Sequence, residues 1–470
     1  MDICPRLESQ SQVPLYLQLY QYFKEGIQTG DIPAFKRLPS IRELANDLHI
    51  SKTTIQMAYQ QLLAEGYIES RERSGYFVVE IERDPFGDFP NVPRPSADDM
   101  SHTLTSECLI DFYLSGIDTA YFPIQKWKAC VNQSLSEEIL TYGDKQGEPA
   151  LRLEISQYLR RSRAVNCTAD QIVIGSGTQT VMKLLSQLIG LNGQKIAMED
   201  PGYGGVHHVF QGLGFEVVPV KLEDDGIHLE ELETSGAEIV YITPSHQYPL
   251  GMVMPISKRV QLLRWAEENG GLIIEDDYDG EFRYHGKPIP SLQGLDAHGH
   301  VVYAGTFSKS LMPAIRMSYL VLPESLLKVY RENISQYDQT ASRLHQAALQ
   351  LFMENGEWER HIRRMRKIYQ KKHDLLLETI KSVIGDHAKI TGQNAGLHIA
   401  IQVNSEKSAD ELVSIAGQSG VKVYSTSAQW ISKQKDDSSV ILLGFGGLSE
   451  KQIVEGVEIL HEVWQPFYKK

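Results

Sequence analysis

The sequence predicts a chain in two parts: a small helical module closed by a β-hairpin, then a large α/β domain with a mainly parallel sheet and a smaller α+β subdomain. Three observations carry this. Capping and turn residues divide the first eighty positions into short helices. Proline-rich text then interrupts the pattern, and beyond it buried strand-like runs alternate with helix-period segments. At 470 residues the chain also exceeds what one core supports, so two or three domains are expected.

The first module occupies residues 1–80. In VPLYLQLYQYFKEGIQT, Leu15, Leu19, Tyr22, Phe23 and Ile27 recur at three- and four-residue intervals, as on an amphipathic helix. Ser40 can cap a second helix, and Glu43 completes a capping box. Ser51 can cap a third, which ends at Gly66, where a left-handed residue is wanted. Two helices joined this tightly make a helix-turn-helix, and the runs YIES and GYFVVE around RERS read as a hairpin, or wing.

Residues 81–108 hold four prolines with a cluster of Ser and Asp, the composition of a linker. As a flexible chain this length spans roughly 30 Å. The domain of residues 109–470 follows, with the strand-like runs IVIGSG, KIAMED, FEVVPV, IVYITP, LIIEDD, VVYAGT and MSYLVLP. A long helical stretch after Tyr330 and two late strands, LHIAIQV and VILLGF, suggest the smaller subdomain.

Bulk composition narrows the function. Apolar residues make up 42% of the chain, and no apolar run approaches the ~20 residues of a membrane span. The first residues have neither a secretory nor a transit pattern, so the expected location is cytoplasmic. Cys4, Cys108, Cys130 and Cys167 are scattered without metal-ligand spacing, so reduced thiols and no metal are expected. A net charge of −14 argues against coating nucleic acid non-specifically, so any DNA contact must be local. From Lys36 to Arg73 six basic residues face five acidic ones, a net of +1, reversed in sign from the whole.

Three motifs lie just past predicted strands, where ligands of α/β sheets collect. The first, Gly175-Ser176-Gly177-Thr178-Gln179, precedes a helix whose N-terminus could receive an anion, or it is simply a tight turn. The second is LIIEDDYDGEF, whose Asp276, Asp277 and Asp279 could hold Mg²⁺, cap the next helix, or pair with a protonated ring nitrogen. In the third, GTFSKSLMPAIR, Lys309 beside hydroxyls can form a Schiff base if its pKa is lowered, and Arg316 can clamp a phosphate. Phosphate, pyridine nitrogen and aldehyde together describe pyridoxal 5′-phosphate.

With YGDKQGEPALR, GSGTQ, EDPGY, TPSHQYPLG, EDDYD and TFSKSLMPAIR in order, residues 109–470 resemble the fold-type I aminotransferases. The resemblance implies that Lys309 is the Schiff-base lysine and Asp276 the acid at the pyridine nitrogen. It further implies Tyr278 at the phenolic oxygen, Tyr203 against the ring, and Ser176, Gly177, Thr178, Ser308 and Arg316 around the phosphate. Tyr248 stands where many aminotransferases have Asn, so a bond to the phenolic oxygen is missing or replaced there.

The segment RLPSIRELANDLHISKTTIQMAYQQLLAEGYIESRERSGYFV resembles the GntR-family winged helix-turn-helix. That resemblance implies DNA contacts by Arg42, Lys52, Thr53 and Thr54 in the major groove, with Arg71, Ser74 and Gly75 in the wing. Joined to an aminotransferase-like domain it is the MocR/GabR architecture, which implies a homodimer on paired half-sites of promoter DNA.

Members sensing γ-aminobutyrate carry arginine where this chain has Gly205, in PGYGG, and Gly447, in GFGGL. Losing these clamps disfavours amino-acid effectors and leaves pyridoxal 5′-phosphate itself as the signal, as in the PdxR-type branch controlling its synthesis. The alternatives are a regulator answering another amino compound and a working aminotransferase; the expectation is a regulator with at most residual transaminase activity.

Overall fold

A computed structural model of the protein describes residue 7 and residues 13–71, 74–80, 110–190, 193–284, 289–333, 336–432 and 439–469. The proposed linker, 81–108, lies outside the described residues, as do Cys4, Cys108 and Arg73. The chain divides into two compact units, residues 1–105 and 106–470.

In the first unit, helix α1 (Leu15–Thr29) is followed by α2 (Ile41–Asp47), α3 (Lys52–Ala64) and the antiparallel pair β1 (Ile68–Arg71) and β2 (Gly75–Val78). The predicted caps are present. Ser40 accepts from the Glu43 amide while Glu43 reaches back to the Ser40 amide, and Ser51 accepts from the Thr54 amide. Such caps are worth about 1 kcal/mol each. Leu19, Phe23, Leu44, Ile55, Tyr59 and Leu62 form the core, and the Tyr59 hydroxyl donates to the Pro39 carbonyl at 3.0 Å, fixing the turn before α2.

The second unit is built on strands β3 (Ile110–Asp111), β4 (Ile172–Gly175), β5 (Lys195–Asp200), β6 (Glu216–Glu223), β7 (Gly226–Ile227), β8 (Ile239–Ile242), β9 (Leu272–Asp277), β10 (Val301–Thr306) and β11 (Ser318–Val321). Five more complete it: β12 (Ala388–Thr391), β13 (His398–Val403), β14 (Val421–Lys422), β15 (Tyr424–Ser425) and β16 (Val440–Gly444). The main sheet has eight strands in the order β4-β11-β10-β9-β8-β5-β6-β7. The central strands are parallel; β11 runs antiparallel to β10 and β4, and β7 antiparallel to β6. The subdomain carries the antiparallel sheet β12-β13-β16-β15.

Adjacent residues of the main sheet enter different cores, as the two-residue strand period requires. Val173, Ile274 and Ala304 join one apolar cluster; Ile174 and Tyr303 join another with Trp127, Phe307 and Trp358. Because β4, β8, β9 and β10 run in the same direction, their C-terminal ends lie along one edge of the sheet, and every candidate motif stands there. Among the described residues, no helix is long and apolar enough to cross a membrane.

Asp277 is tied into this frame by a buried ion pair. Arg163, at the end of helix α4 (Pro149–Arg163), donates to its Oδ2 at 2.6 Å, as does the Tyr303 hydroxyl, and to Ser245 Oγ at 2.5 Å. Removing one partner strands a buried charge, so Arg163→Met should lower unfolding free energy by about 3–5 kcal/mol in urea titrations. The double variant Arg163→Met/Asp277→Leu should recover part of that loss.

Candidate functional site

A cavity of about 320 Å³ opens at the C-terminal ends of these strands, within the usual range for a small-molecule site. Strand alternation decides which acid of the Glu275-Asp276-Asp277 run enters it. Glu275 accepts the Leu292 and Gln293 amides, both at 2.8 Å, and Asp277 takes Arg163. Asp276 faces the cavity, where its Oδ2 accepts the Tyr241 hydroxyl at 2.6 Å while its buried Oδ1 has no partner. Burial above all pushes its carboxyl up to about 7, against the lowering effect of Tyr241. Asp279 turns instead to His246, so the acids diverge and the magnesium reading loses its ligand cluster.

Lys309 follows β10 and lines the same cavity. Its Nζ donates to the Leu114 carbonyl at 2.6 Å and to Ser115 Oγ at 3.1 Å. Burial lowers its pKa to about 8, with the charge of Asp279 opposing. Thr306 steadies the turn by accepting from the Ser308 amide and the Ser318 hydroxyl. Arg316, with a left-handed φ of 47°, lines the same cavity beside Thr178, the first residue of helix α5 (Thr178–Ile189). Gly177 has φ 86°, and a Cβ there would collide with the Arg316 guanidinium. This glycine makes room for the cation.

Of the residues singled out for the cofactor, Lys309, Asp276, Tyr278, Tyr203, Thr178, Ser308 and Arg316 line the cavity. Ser176 and Gly177 do not, and the Ser176 amide donates instead to Thr340 Oγ1 at 3.0 Å. Tyr248 is on the wall, edge-on to Tyr203 and Tyr278. Sequence reasoning missed Tyr241 and Thr243, although their i, i+2 spacing at the end of β8 sets both on one face. Ser115 comes from a distant segment and left no local signal.

The two glycines at the clamp positions differ. A Cβ on Gly205 would lie 2.7 Å from Tyr203 Cζ and 3.1 Å from Gln179 Nε2, so a side chain there displaces the Tyr203 ring. On Gly447 the nearest atom would be Gly116 Cα at 3.4 Å, an ordinary contact.

In the first unit, Arg42, Lys52, Thr53, Arg71 and Ser74 are exposed. Thr54 is half-buried and shares a hydrogen bond with Ser51 at 2.8 Å. Arg71 is engaged: its Nε donates to Glu69 at 2.7 Å and its guanidinium lies 4.6 Å from the Phe77 ring centre. Gly75 has φ 102° and packs beside Arg37, whose Nε would be 3.4 Å from a Cβ.

The donor set suits pyridoxal 5′-phosphate: an unpartnered Asp276 oxygen for a ring N–H, a lysine of lowered pKa for an aldehyde, and an arginine at a helix start for a phosphate. With a winged helix in the same chain, this defines a DNA-binding module fused to an aminotransferase-like domain.

Comparison with known proteins agrees. The family described as "Aminotransferase class I and II" matches residues 114–433, and "Bacterial regulatory proteins, gntR family" matches residues 15–78. The chain is 43% identical over 469 residues to the uncharacterized HTH-type transcriptional regulator YdeL of Bacillus subtilis, covering 99% of this chain and 100% of that one. It is 31% identical to the probable rhizopine catabolism regulatory protein MocR of Rhizobium meliloti (97% and 95% covered). It is 28% identical to the HTH-type pyridoxine biosynthesis transcriptional regulator PdxR of Corynebacterium glutamicum (92% of each). Among solved structures, the multiple substrate aminotransferase of Thermococcus profundus superposes with a TM-score of 0.69 at 25% identity, covering 78% of this chain and 93% of that one. The chain therefore belongs to the MocR-type transcriptional regulators, with a GntR-type helix-turn-helix and a fold-type I aminotransferase-like domain.

Tyr241→Phe should raise the Asp276 pKa further, because the lost hydrogen bond favours the ionised form. Infrared difference spectra at pH 7 should gain carboxylic acid C=O absorbance that Asp276→Asn abolishes.

Proposed function

We propose that this regulator senses pyridoxal 5′-phosphate through Lys309 and controls genes for the synthesis of that cofactor. The observation that carries the reading is the Asp276 oxygen without a partner, on the same cavity as Lys309 and Arg316. When bound, the cofactor supplies an aldehyde that condenses with a primary amine and releases water.

Each residue has a distinct task. Lys309, its pKa lowered to about 8 by burial, offers an appreciable fraction of neutral amine near neutral pH. Asp276 would accept a ring N–H, which favours its charged form and offsets the burial penalty. Arg316 and the start of α5 would hold the phosphate, with Ser308 beside them, and Tyr203 would lie against the ring. Glycine at 205 and 447 favours the cofactor alone over an amino acid as signal, and the named role of the PdxR relative supports the choice of target genes.

The winged helix would read paired half-sites as a homodimer, with Arg42, Lys52, Thr53 and Thr54 toward the major groove and Arg71, Ser74 and Gly75 in the wing. Exposed apolar side chains Tyr121, Leu135, Leu140 and Tyr142 on the second unit support self-association.

Three outcomes are expected. With an operator selected from random-sequence DNA, wild-type affinity should change at least fivefold on adding pyridoxal 5′-phosphate, and Lys309→Ala should not respond. Equal responses would refute the reading. The rate of cofactor capture at Lys309, trapped by borohydride and read by mass spectrometry, should rise about tenfold per pH unit up to pH 8 and then level, whereas an unshifted lysine would keep rising to about 10.4. Glu69→Gln should free Arg71, raising DNA affinity severalfold and steepening the salt dependence by about one counterion.

A further inference from the structure

We infer that His246 and Asp279 form a buried positioning pair that sets the direction of the Tyr278 hydroxyl, turning its proton toward the cavity. The inference rests on the reading that this cavity takes pyridoxal 5′-phosphate.

His246 and Asp279 are both about 2% exposed. His246 Nδ1 lies 2.9 Å from Asp279 Oδ2 and 2.9 Å from Tyr278 Oη, so one nitrogen faces two oxygens. A neutral imidazole nitrogen is either donor or acceptor. A bare Nδ1 would set its lone pair against a carboxylate, which accepts hydrogen bonds and offers none. A protonated Nδ1 donates toward both oxygens.

The far side of the ring agrees. His246 Nε2 is buried and has no partner. An N–H there would be an orphaned donor, whereas the Nδ1–H tautomer leaves only an unused lone pair. With its oxygen facing the His246 N–H, Tyr278 is free to donate its own proton elsewhere, and its side chain lines the cavity. The pair is also walled in: a Cβ on Gly396 would collide with the His246 ring and lie 2.7 Å from Asp279 Oδ2, and one on Gly251 would lie 3.1 Å from His246 Nε2. His398, its ring centre 4.9 Å from that of His246, bonds the Pro249 carbonyl at 3.0 Å. The 2.9 Å between His246 and Asp279 is a hydrogen-bond distance, shorter than the ~3.3 Å expected between two ligands of one tetrahedral zinc ion.

The effect of His246 should therefore pass through Tyr278. Affinity for pyridoxal 5′-phosphate would be measured by equilibrium dialysis on the full chain. Tyr278→Phe and His246→Leu should each weaken binding about tenfold, and the double variant no more than either alone. His246→Asn, which keeps an N–H donor, should recover to within about threefold of wild type. Asp279→Asn is isosteric but offers an N–H to Nδ1, reversing the tautomer, and should weaken binding as Tyr278→Phe does. Additive losses, or equal losses for His246→Asn and His246→Leu, would overturn the inference.

The ligand-free chain provides a separate reading. With ¹⁵N-labelled histidine, His246 should resonate as the Nδ1–H tautomer in wild type and as Nε2–H in Asp279→Asn. If wild type and Lys309→Ala bind the cofactor equally, the sensor reading fails while the tautomer test still decides this inference; an Nε2–H signal in wild type overturns it.

Discussion

Three consecutive carboxylates, Glu275, Asp276 and Asp277, end a strand in the middle of the main sheet, and all three are buried. A buried carboxylate needs donors or it loses its charge. The fold gives Glu275 a donor on each oxygen and Asp277 two donors on one oxygen, leaving Asp277 Oδ1 without a partner. Backbone amides of Leu292 and Gln293 hold Glu275, and Arg163 with Tyr303 holds Asp277. Asp276 receives only the Tyr241 hydroxyl. Its remaining oxygen is a demand for a donor, worth about 1–3 kcal/mol if unmet, and Asp276, unlike Glu275 and Asp277, lines the cavity.

Lys309 obeys the same physics with the sign reversed. Burial that raises the Asp276 pKa lowers that of Lys309, so the pair presents an acceptor for a cationic N–H and an amine able to react near neutral pH. Such a site can hold a cofactor for catalysis or for sensing. Glycine stands at both positions that would carry an amino-acid clamp, 205 and 447, in different surroundings. Glycine at 205 is built into the packing of Tyr203, whereas at 447 the surrounding space would admit a side chain. A signal moves the DNA-binding module only if it favours one arrangement of the chain over another, and the ligand's differential affinity sets the limit of that shift.

Much of this was legible in the sequence. Cap residues Ser40 and Ser51 marked the helix starts of the winged module, and the order of strand-like runs gave the mainly parallel sheet. Lys309, Asp276 and Arg316 were readable because their motifs are local. What escaped was set by distant contacts. Ser115 meets Lys309 across 194 positions, and the Ser176 amide is taken by Thr340 rather than turned to the cavity. Tyr241 and Thr243 were legible in principle, as a strand face of period two, but their run reads as an ordinary buried strand until the cavity is seen. The Glu69 contact that restrains Arg71 likewise depends on side-chain geometry within the hairpin.

The central claim is a coupling between the cofactor site and DNA, and coupling is reciprocal: if the cofactor changes affinity for DNA, DNA must change affinity for the cofactor by the same factor. The most direct test is the dissociation constant of pyridoxal 5′-phosphate measured with and without saturating operator DNA. The account predicts a shift of at least fivefold, equal to the ratio of operator affinities of the cofactor-free and cofactor-bound protein. Identical constants with and without operator would contradict it.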